Sequence, residues 1–378
     1  MVDFAFRGVA ADSGTITLFD ALGNVLSTTP IGSDWDMVTV DETSGLKVSQ
    51  IHIVNTQTAA NGFAVVDVFS YTAEVQPTVA EKYDQNGDGT ADIVWHNTST
   101  GQSWFNAMDG HTIVSGNSIS HAQFPWIIAG RGDYNGDGNS DILWRNSSTG
   151  ANHLYLMNGA QIIQSSPINV VGSPWFIATT GDFDGDGNHD IVWQNGETGL
   201  IWLYTMSGAQ ITGGGKIATV PDSHWQIAGS PDLNGDGSSD ILFRHSGTGQ
   251  NFVYLMNGTT ITQAYPLNIV PSEWFVAGTG DLNADGTDDI IWRNENTGLN
   301  WTYLMSNGQI QSSAQLNTIA DSSWQIALVG DFSGEGTADI LWRNSSTGHN
   351  FLYYMNGHQI ALGKLVNIVP DFSWYIAK

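Results

Sequence analysis

The stretch GDFDGDGNHD, Gly181 to Asp190, puts four acidic side chains within nine residues and spaces them with glycine. Carboxylates so close disfavour each other's ionised form unless a cation joins them. The pattern is not isolated. It recurs as DQNGDGTAD from Asp84, DYNGDGNSD from Asp133, DFDGDGNHD from Asp182, DLNGDGSSD from Asp232, DLNADGTDD from Asp281 and DFSGEGTAD from Asp331. Successive copies start 49, 49, 50, 49 and 50 residues apart, so one structural unit is repeated.

The rest of the unit repeats with the loop. Seven residues before the first Asp stands a W-x-[IV]-A element, at Trp126, Trp175, Trp225, Trp274 and Trp324. An apolar run follows each loop, as in DILWRNSSTG from Asp141. A second run ends in a turn, as in NHLYLMNG (Asn152 to Gly159), and a third closes the unit, as in AQIIQSSPINVV from Ala160. Short runs rich in Ile, Val, Trp, Tyr and Phe between Gly, Asn and Ser read as strands. Met-Asn-Gly signals a tight hairpin, because Asn and Gly tolerate φ > 0. The unit is therefore four antiparallel strands, and its tandem copies predict a β-propeller. Kelch blades have this length, but no recurrent Gly-Gly marks them here.

The chain stops at SWYIAK, where Trp374 begins a further copy of the tryptophan element with no loop after it. Upstream of the first loop, Pro77 stands where a tryptophan should, and proline weakens a ladder strand. The favoured expectation is six blades closed by Trp374 to Ala377, which would complete the blade containing Asp84. The competing expectation is that Pro77 to Ala80 is that strand. Residues 1–75 fall outside the repeat. GTITLFDALGNVLSTTP reads as a hairpin, and VSQIHIVNT and GFAVVDVFSYT read as strands. This segment weakly resembles the closing strands of jelly-roll modules, with too few strands for a full β-sandwich, so a trimmed domain is expected. The expected division is residues 1–75 and 76–378, linked by TAEVQPTVAE (Thr72 to Glu81).

Each acidic loop offers oxygens at its odd positions. The candidate ligands are Asp84, Asn86, Asp88, Thr90 and Asp92 in the first copy, and Asp133, Asn135, Asp137, Asn139 and Asp141 in the second. The third offers Asp182, Asp184, Asp186, Asn188 and Asp190, and the fourth Asp232, Asn234, Asp236, Ser238 and Asp240. The fifth offers Asp281, Asn283, Asp285, Thr287 and Asp289, and the sixth Asp331, Ser333, Glu335, Thr337 and Asp339. Position 7 would contribute its backbone carbonyl. Hard oxygens in a flexible, tightly turned loop suit Ca²⁺, whereas Mg²⁺ prefers to keep several waters. No His or Cys recurs in the loops, which disfavours zinc and copper. The loop is not an EF-hand, because position 12 of the first copy is Trp95 and strands flank it. The sixth copy, with Ser333 at position 3 and Glu335 at position 5, is expected to be the weakest or empty. Five to six Ca²⁺ ions are expected, one per blade.

The D-x-[DN]-x-D-G-x-x-D loop between strands, in tandem from about Pro77 to Lys378, resembles the FG-GAP/VCBS family. Phe-Gly-Gly-Ala-Pro itself is absent. The resemblance implies a calcium-binding β-propeller of the kind common on extracellular and surface proteins, with integrin α-subunits as distant relatives.

Composition bounds the function. Glycine (44 residues) and aromatics (11%) are abundant and charged residues (13%) sparse, which suits an all-β chain. There is no cysteine, so disulfides and thiolate chemistry are excluded. Lys and Arg total 11 against 37 Asp and Glu, and a net charge of −26 repels nucleic acid and anionic lipid. No apolar run has the ~20 residues that span a bilayer, and no signal peptide is visible. Extracellular modules typically bind Ca²⁺ at about 10⁻⁴–10⁻³ M, which points to a secreted or cell-surface setting.

For ligand contact, the candidates are Arg145, Arg244, Arg293 and Arg343, each preceded by Trp or Phe. Trp faces stack on sugars and Arg forks donate to hydroxyls. The alternative is that these aromatics pack between blades. Trp144 shares a face with Ile142, whereas Arg145 lies on the other. The ten histidines are scattered without a recognisable catalytic context. The expected function is a non-catalytic, multivalent binding module for glycans or surface and matrix components. A polysaccharide-acting enzyme or its accessory module is the second expectation, and a self-assembling structural subunit the third.

Overall fold

The computed structural model describes residues 82–378 throughout and, before them, the backbone of six strands. All regular structure among the described residues is β-strand. The chain divides into two compact units, Met1–Thr78 and Val79–Lys378. In the first, Val2–Phe4 pairs with Val38–Val40. A four-stranded antiparallel sheet runs in the order Val25–Ile31, Gly14–Phe19, Gln50–Thr58, Ala64–Thr72. The expected hairpin and both later strands are therefore present. The linker residues 73–81, including Pro77 to Ala80, lie outside the described residues.

The second unit is a six-bladed β-propeller of four-stranded antiparallel blades. The second blade is representative: Trp126–Gly132 innermost, then Asp141–Asn146, Ala151–Asn158, and Gln161–Val170 outermost. In the first blade the innermost strand comes from the far end of the sequence. Trp374–Ile376 pairs antiparallel with Ile93–Asn97, Trp374 opposite Asn97. The ring thus closes as the C-terminal copy of the tryptophan element, at Trp374, predicted.

Local chemistry explains the blade. The second strand is buried from end to end in Asp141–Asn146 because a blade lies against each of its faces. The outermost strand Gln161–Val170 is largely exposed and carries polar residues. In the W-x-[IV]-A element, Ile128 pairs with Trp144 and Gly130 with Leu143, leaving Ala129 as the extra residue of a β-bulge. The same register shift occurs in the next four blades. Gly150 turns the second hairpin at φ 74°, and a Cβ there would lie 2.3 Å from the Val171 carbonyl oxygen.

The core is not central. Six apolar layers lie between neighbouring blades, such as Val94 and Phe105 of the first blade against Ile142, Trp144 and Met157 of the second. The closing layer sets Leu328, Leu341 and Leu352 of the sixth blade against Ile93, Trp95 and Ile376 of the first.

Candidate functional site

Five of the acidic loops connect innermost and second strands, and the first leads into the second strand of its blade, so all six lie on one face of the ring. Each is organised around its first aspartate. In the first loop the Gly87 N–H donates to Asp84 Oδ1 and the Gly89 N–H to Asp84 Oδ2, both at 2.7 Å. Those glycines hold φ of 75° and 88°, a region costly for a residue with a Cβ. In the fifth loop Ala284 adopts φ 57° at the position where the other copies have glycine.

The ninth position ties the loop to its blade. Asp92 accepts the Gln85 N–H (2.9 Å) on one oxygen and the Met108 N–H (3.0 Å) on the other. Asp141, Asp190, Asp240 and Asp289 repeat both bonds. The methionine of each tight hairpin is thus held by the aspartate of its own loop. These carboxylates are inaccessible to solvent. Desolvation pushes them up, to about 7 for Asp92, Asp240, Asp289 and Asp339 and about 8 for Asp141 and Asp190, against the pull of the amides.

Neighbouring loops are stitched together. The amide of position 8 donates to the carbonyl of position 1 in the preceding blade, as Ser140 N to Asp84 O at 2.5 Å. This bond occurs at all six junctions, including Ala91 N to Asp331 O at 2.6 Å across the closure. A second set runs from the glycine of each outer hairpin to position 2 of the preceding loop, as Gly159 N to Gln85 O at 2.6 Å.

The donor set fits a hard cation. Carboxylate oxygens of Asp182, Asp184 and Asp190 lie within 4.8 Å of one another. Asp184 Oδ1 and its counterpart Asn135 Oδ1 are buried without a hydrogen-bond partner. Ligands about 2.3–2.6 Å from a shared ion would lie at such separations. The sixth loop differs in detail: the Ser333 hydroxyl donates to Asp331 Oδ1 at 3.2 Å, and Asp339 Oδ2 has no partner.

The arginines require a correction. They do not present a ligand-binding face; they tie blades together. Arg145 Nη1 donates to Asn152 Oδ1 (3.0 Å), and its Nη2 donates to the carbonyls of Val171 (2.7 Å) and Trp175 (2.9 Å). Its guanidinium lies 4.9 Å from the Trp193 ring of the next blade. Arg244, Arg293 and Arg343 repeat the arrangement over Trp292, Trp342 and, closing the ring, Trp95. Backbone carbonyls and a buried Asn therefore occupy most of the guanidinium donors. Where the third blade has Gln194 in place of Arg, the fourth has Phe243 in place of Trp. The aromatics after the loops are inter-blade core, as the alternative reading held.

Two features escaped the sequence reading. At position 8 the ring loses its symmetry, with Ala91, Ser140, His189, Ser239, Asp288 and Ala338 in turn. Burial and the charge of Lys82 push His189 down to about 4. Burial raises Asp288 to about 6, with Lys82 opposing. The other feature is a cluster of Asp222, His224 and His245. His245 Nδ1 accepts the N–H groups of Gly247 (3.1 Å) and Thr248 (3.0 Å), so this network assigns the ring proton to Nε2, 3.2 Å from Asp222 Oδ2. That nitrogen has no free lone pair for a metal. His245 instead replaces the turn-forming asparagine found at Asn146, whose Oδ1 accepts the same pair of amides.

A β-propeller with an acidic loop at every blade defines the class. The family model for the FG-GAP-like repeat matches residues 133–224, 232–292 and 281–342, more than half of the chain. The chain belongs to the FG-GAP-like repeat family. No curated protein sequence matches it. Among solved structures it is similar to a chain of a nidogen/laminin complex, at 12% identity and TM-score 0.48, covering 75% of this chain and 95% of that one. Apo AztD from Citrobacter koseri matches at 10% identity and TM-score 0.46, covering 96% and 97%. A post-proline cleaving enzyme from Rickettsia typhi matches at 9% identity and TM-score 0.41, covering 84% and 51%. Folds of this kind serve enzymes and non-enzymes alike, so the fold alone does not decide catalysis.

Proposed function

We propose that this protein is an extracellular, calcium-loaded binding module whose ligands are glycans. The observation that carries the reading is the convergence of oxygen donors in the acidic loops, seen most fully at Asp182, Asp184 and Asp190. Ca²⁺ there would neutralise charge that otherwise strains the loops, and would stabilise the folded ring, because the unfolded chain has no such sites. That makes the loops scaffold. Near-identical blades then offer several weak sites, whose avidity grows by multivalency. With the arginines committed between blades, ligand contact falls to the aromatic slots and turns of the blades.

A glycan array probed in millimolar Ca²⁺, with a chelated sample beside it, tests the reading. Capture of a related set of glycans, lost on chelation, is the expected result. A blank array from folded, calcium-loaded protein overturns it. Catalysis is the second reading, favoured by His189 and Asp288, which break the repeat at the eighth loop position where the other copies have Ala or Ser.

A further inference from the structure

Five blades close the hairpin between their second and third strands with an asparagine. Asn97, Asn146, Asn195, Asn294 and Asn344 each accept two successive turn amides on Oδ1, at 2.8–3.1 Å. In two of them the side-chain amide also donates to an aspartate three residues before the tryptophan of the innermost strand. Asn344 Nδ2 reaches Asp321 Oδ2 at 3.2 Å, and Asn97 Nδ2 reaches Asp371 Oδ2 at 3.3 Å.

The fourth blade performs both tasks with a histidine. His245 Nδ1 accepts the amides of Gly247 (3.1 Å) and Thr248 (3.0 Å), and its Nε2–H donates to Asp222 Oδ2 at 3.2 Å. Histidine imitates asparagine in this way only as the neutral ring with its proton on Nε2. A proton on Nδ1 turns the acceptor into a donor that faces two N–H groups. Asparagine has no such second state.

The surroundings offer the extra proton no compensation at Nδ1. The His245 ring is buried, stands edge-on to Trp225 at 5.1 Å and stacks on His224 at 5.4 Å with 7° between the planes. The titratable groups that face it are Asp222 and His224, both on the connector that leads into the innermost strand. Asp222 is shared between them, its other oxygen lying 2.8 Å from His224 Nδ1. The exposed His224 gains a proton without losing a contact, and its charge then opposes a second one on the stacked ring. Arg244 precedes His245 on the strand and so points to the other face, over Trp292, where the charge of Glu273 acts on it.

The turn also carries load. Gly249 N donates to His245 O at 2.9 Å, and Gly249 O accepts Val270 N at 2.9 Å and Arg244 Nη1 at 3.4 Å. The hairpin therefore anchors the connector to the fifth blade.

We propose that His245 is an acid-sensitive latch: protonation at Nδ1 releases the Gly247 and Thr248 amides and opens the hairpin of residues 245–250, in the fourth blade alone. The proton excluded from the closed hairpin is taken up on opening. The closed form is therefore fully stable above the ordinary imidazole range and loses stability as pH falls through it. With a free imidazole titrating near 6.5 as reference, opening becomes roughly tenfold more favourable at pH 5.5 than at pH 7.5.

The test is amide hydrogen exchange, read by NMR on the calcium-loaded full chain at the two pH values, with each rate divided by the intrinsic rate at that pH. Protection of Gly247 and Thr248 should fall roughly tenfold on acidification. The equivalent amides of Ser148 and Thr149, and of Asn296 and Thr297, should keep theirs. His245→Asn, which installs the residue of the other five blades, should abolish the fall. His224→Ser, which installs the residue found at Ser323 and Ser373, should leave it in place. Unchanged protection of Gly247 and Thr248 at pH 5.5 overturns the latch. A fall that survives His245→Asn, or one that disappears with His224→Ser, overturns it as well, because the sensitive group is then not His245.

Discussion

Arg293 shows how one residue can suit two roles until its surroundings are known. Its Nη1 donates to Asn300 Oδ1 at 3.0 Å, and its Nη2 to the carbonyls of Ile319 (3.1 Å) and Trp324 (3.0 Å). The guanidinium also lies 5.1 Å from the Trp342 ring. Replacing it by methionine keeps much of the apolar stem and strips the donors from three carbonyls, those of Gly298, Ile319 and Trp324, and from a buried amide oxygen. Arg293→Met is expected to cost roughly 2–4 kcal/mol of stability, read as a lower melting temperature at fixed Ca²⁺. Glycan affinity of the still-folded variant should not change. Unchanged stability with lost glycan binding would restore the arginine as a ligand contact.

The acidic loop is the element on which calcium acts, and its six copies are not equal. Asn86 in the first loop donates its amide to Asp88 Oδ2 at 2.8 Å, and its oxygen accepts the Asp88 N–H at 3.1 Å. In the sixth, the shorter Ser333 gives its hydroxyl proton to Asp331 Oδ1, and Glu335 is longer than the aspartate it replaces. Calorimetric titration of chelator-treated protein should therefore find one Ca²⁺ site weaker than the rest. The double substitution Ser333→Asn and Glu335→Asp should bring it level with the others. Six equal sites in the unaltered chain would remove the distinction, and no heat of binding would remove calcium itself.

The molecule as a ring depends on six junctions of one design, so a perturbation shared by all loops is felt everywhere. The ninth-position aspartates titrate near 7 to 8 in the folded chain without metal, against 3.8 as the ordinary value. Between those limits the folded state binds more protons than the unfolded state, so its stability falls as pH rises. Chelated protein should melt at a lower temperature at pH 8 than at pH 5. Millimolar Ca²⁺ should reverse that slope, since the ion requires ionised carboxylates and binds only the folded ring. Scanning calorimetry at the two pH values, with and without Ca²⁺, reads both effects. A chelated protein that melts higher at pH 8 would mean that the two amide bonds outweigh desolvation.

The blade was legible in the sequence because its determinants are local. Strand alternation, the Asn-Gly hairpin, the glycines at positive φ and the regular return of the acidic loop all act within one repeat. Ring closure was legible too, because Trp374 repeats the tryptophan element at a place where the first blade lacked its own. The alanine of W-x-[IV]-A was visible as a letter, but its role as a bulge needed the register of its partner strand. The tertiary structure alone decided what each face meets. Alternation puts Trp144 and Arg145 on opposite sides of a strand, yet what lies against Arg145 is Trp193, one repeat further along the chain. A strand's own sequence sets which way a side chain points, and the neighbouring blade sets whether that direction leads to solvent, to a partner or to an open donor.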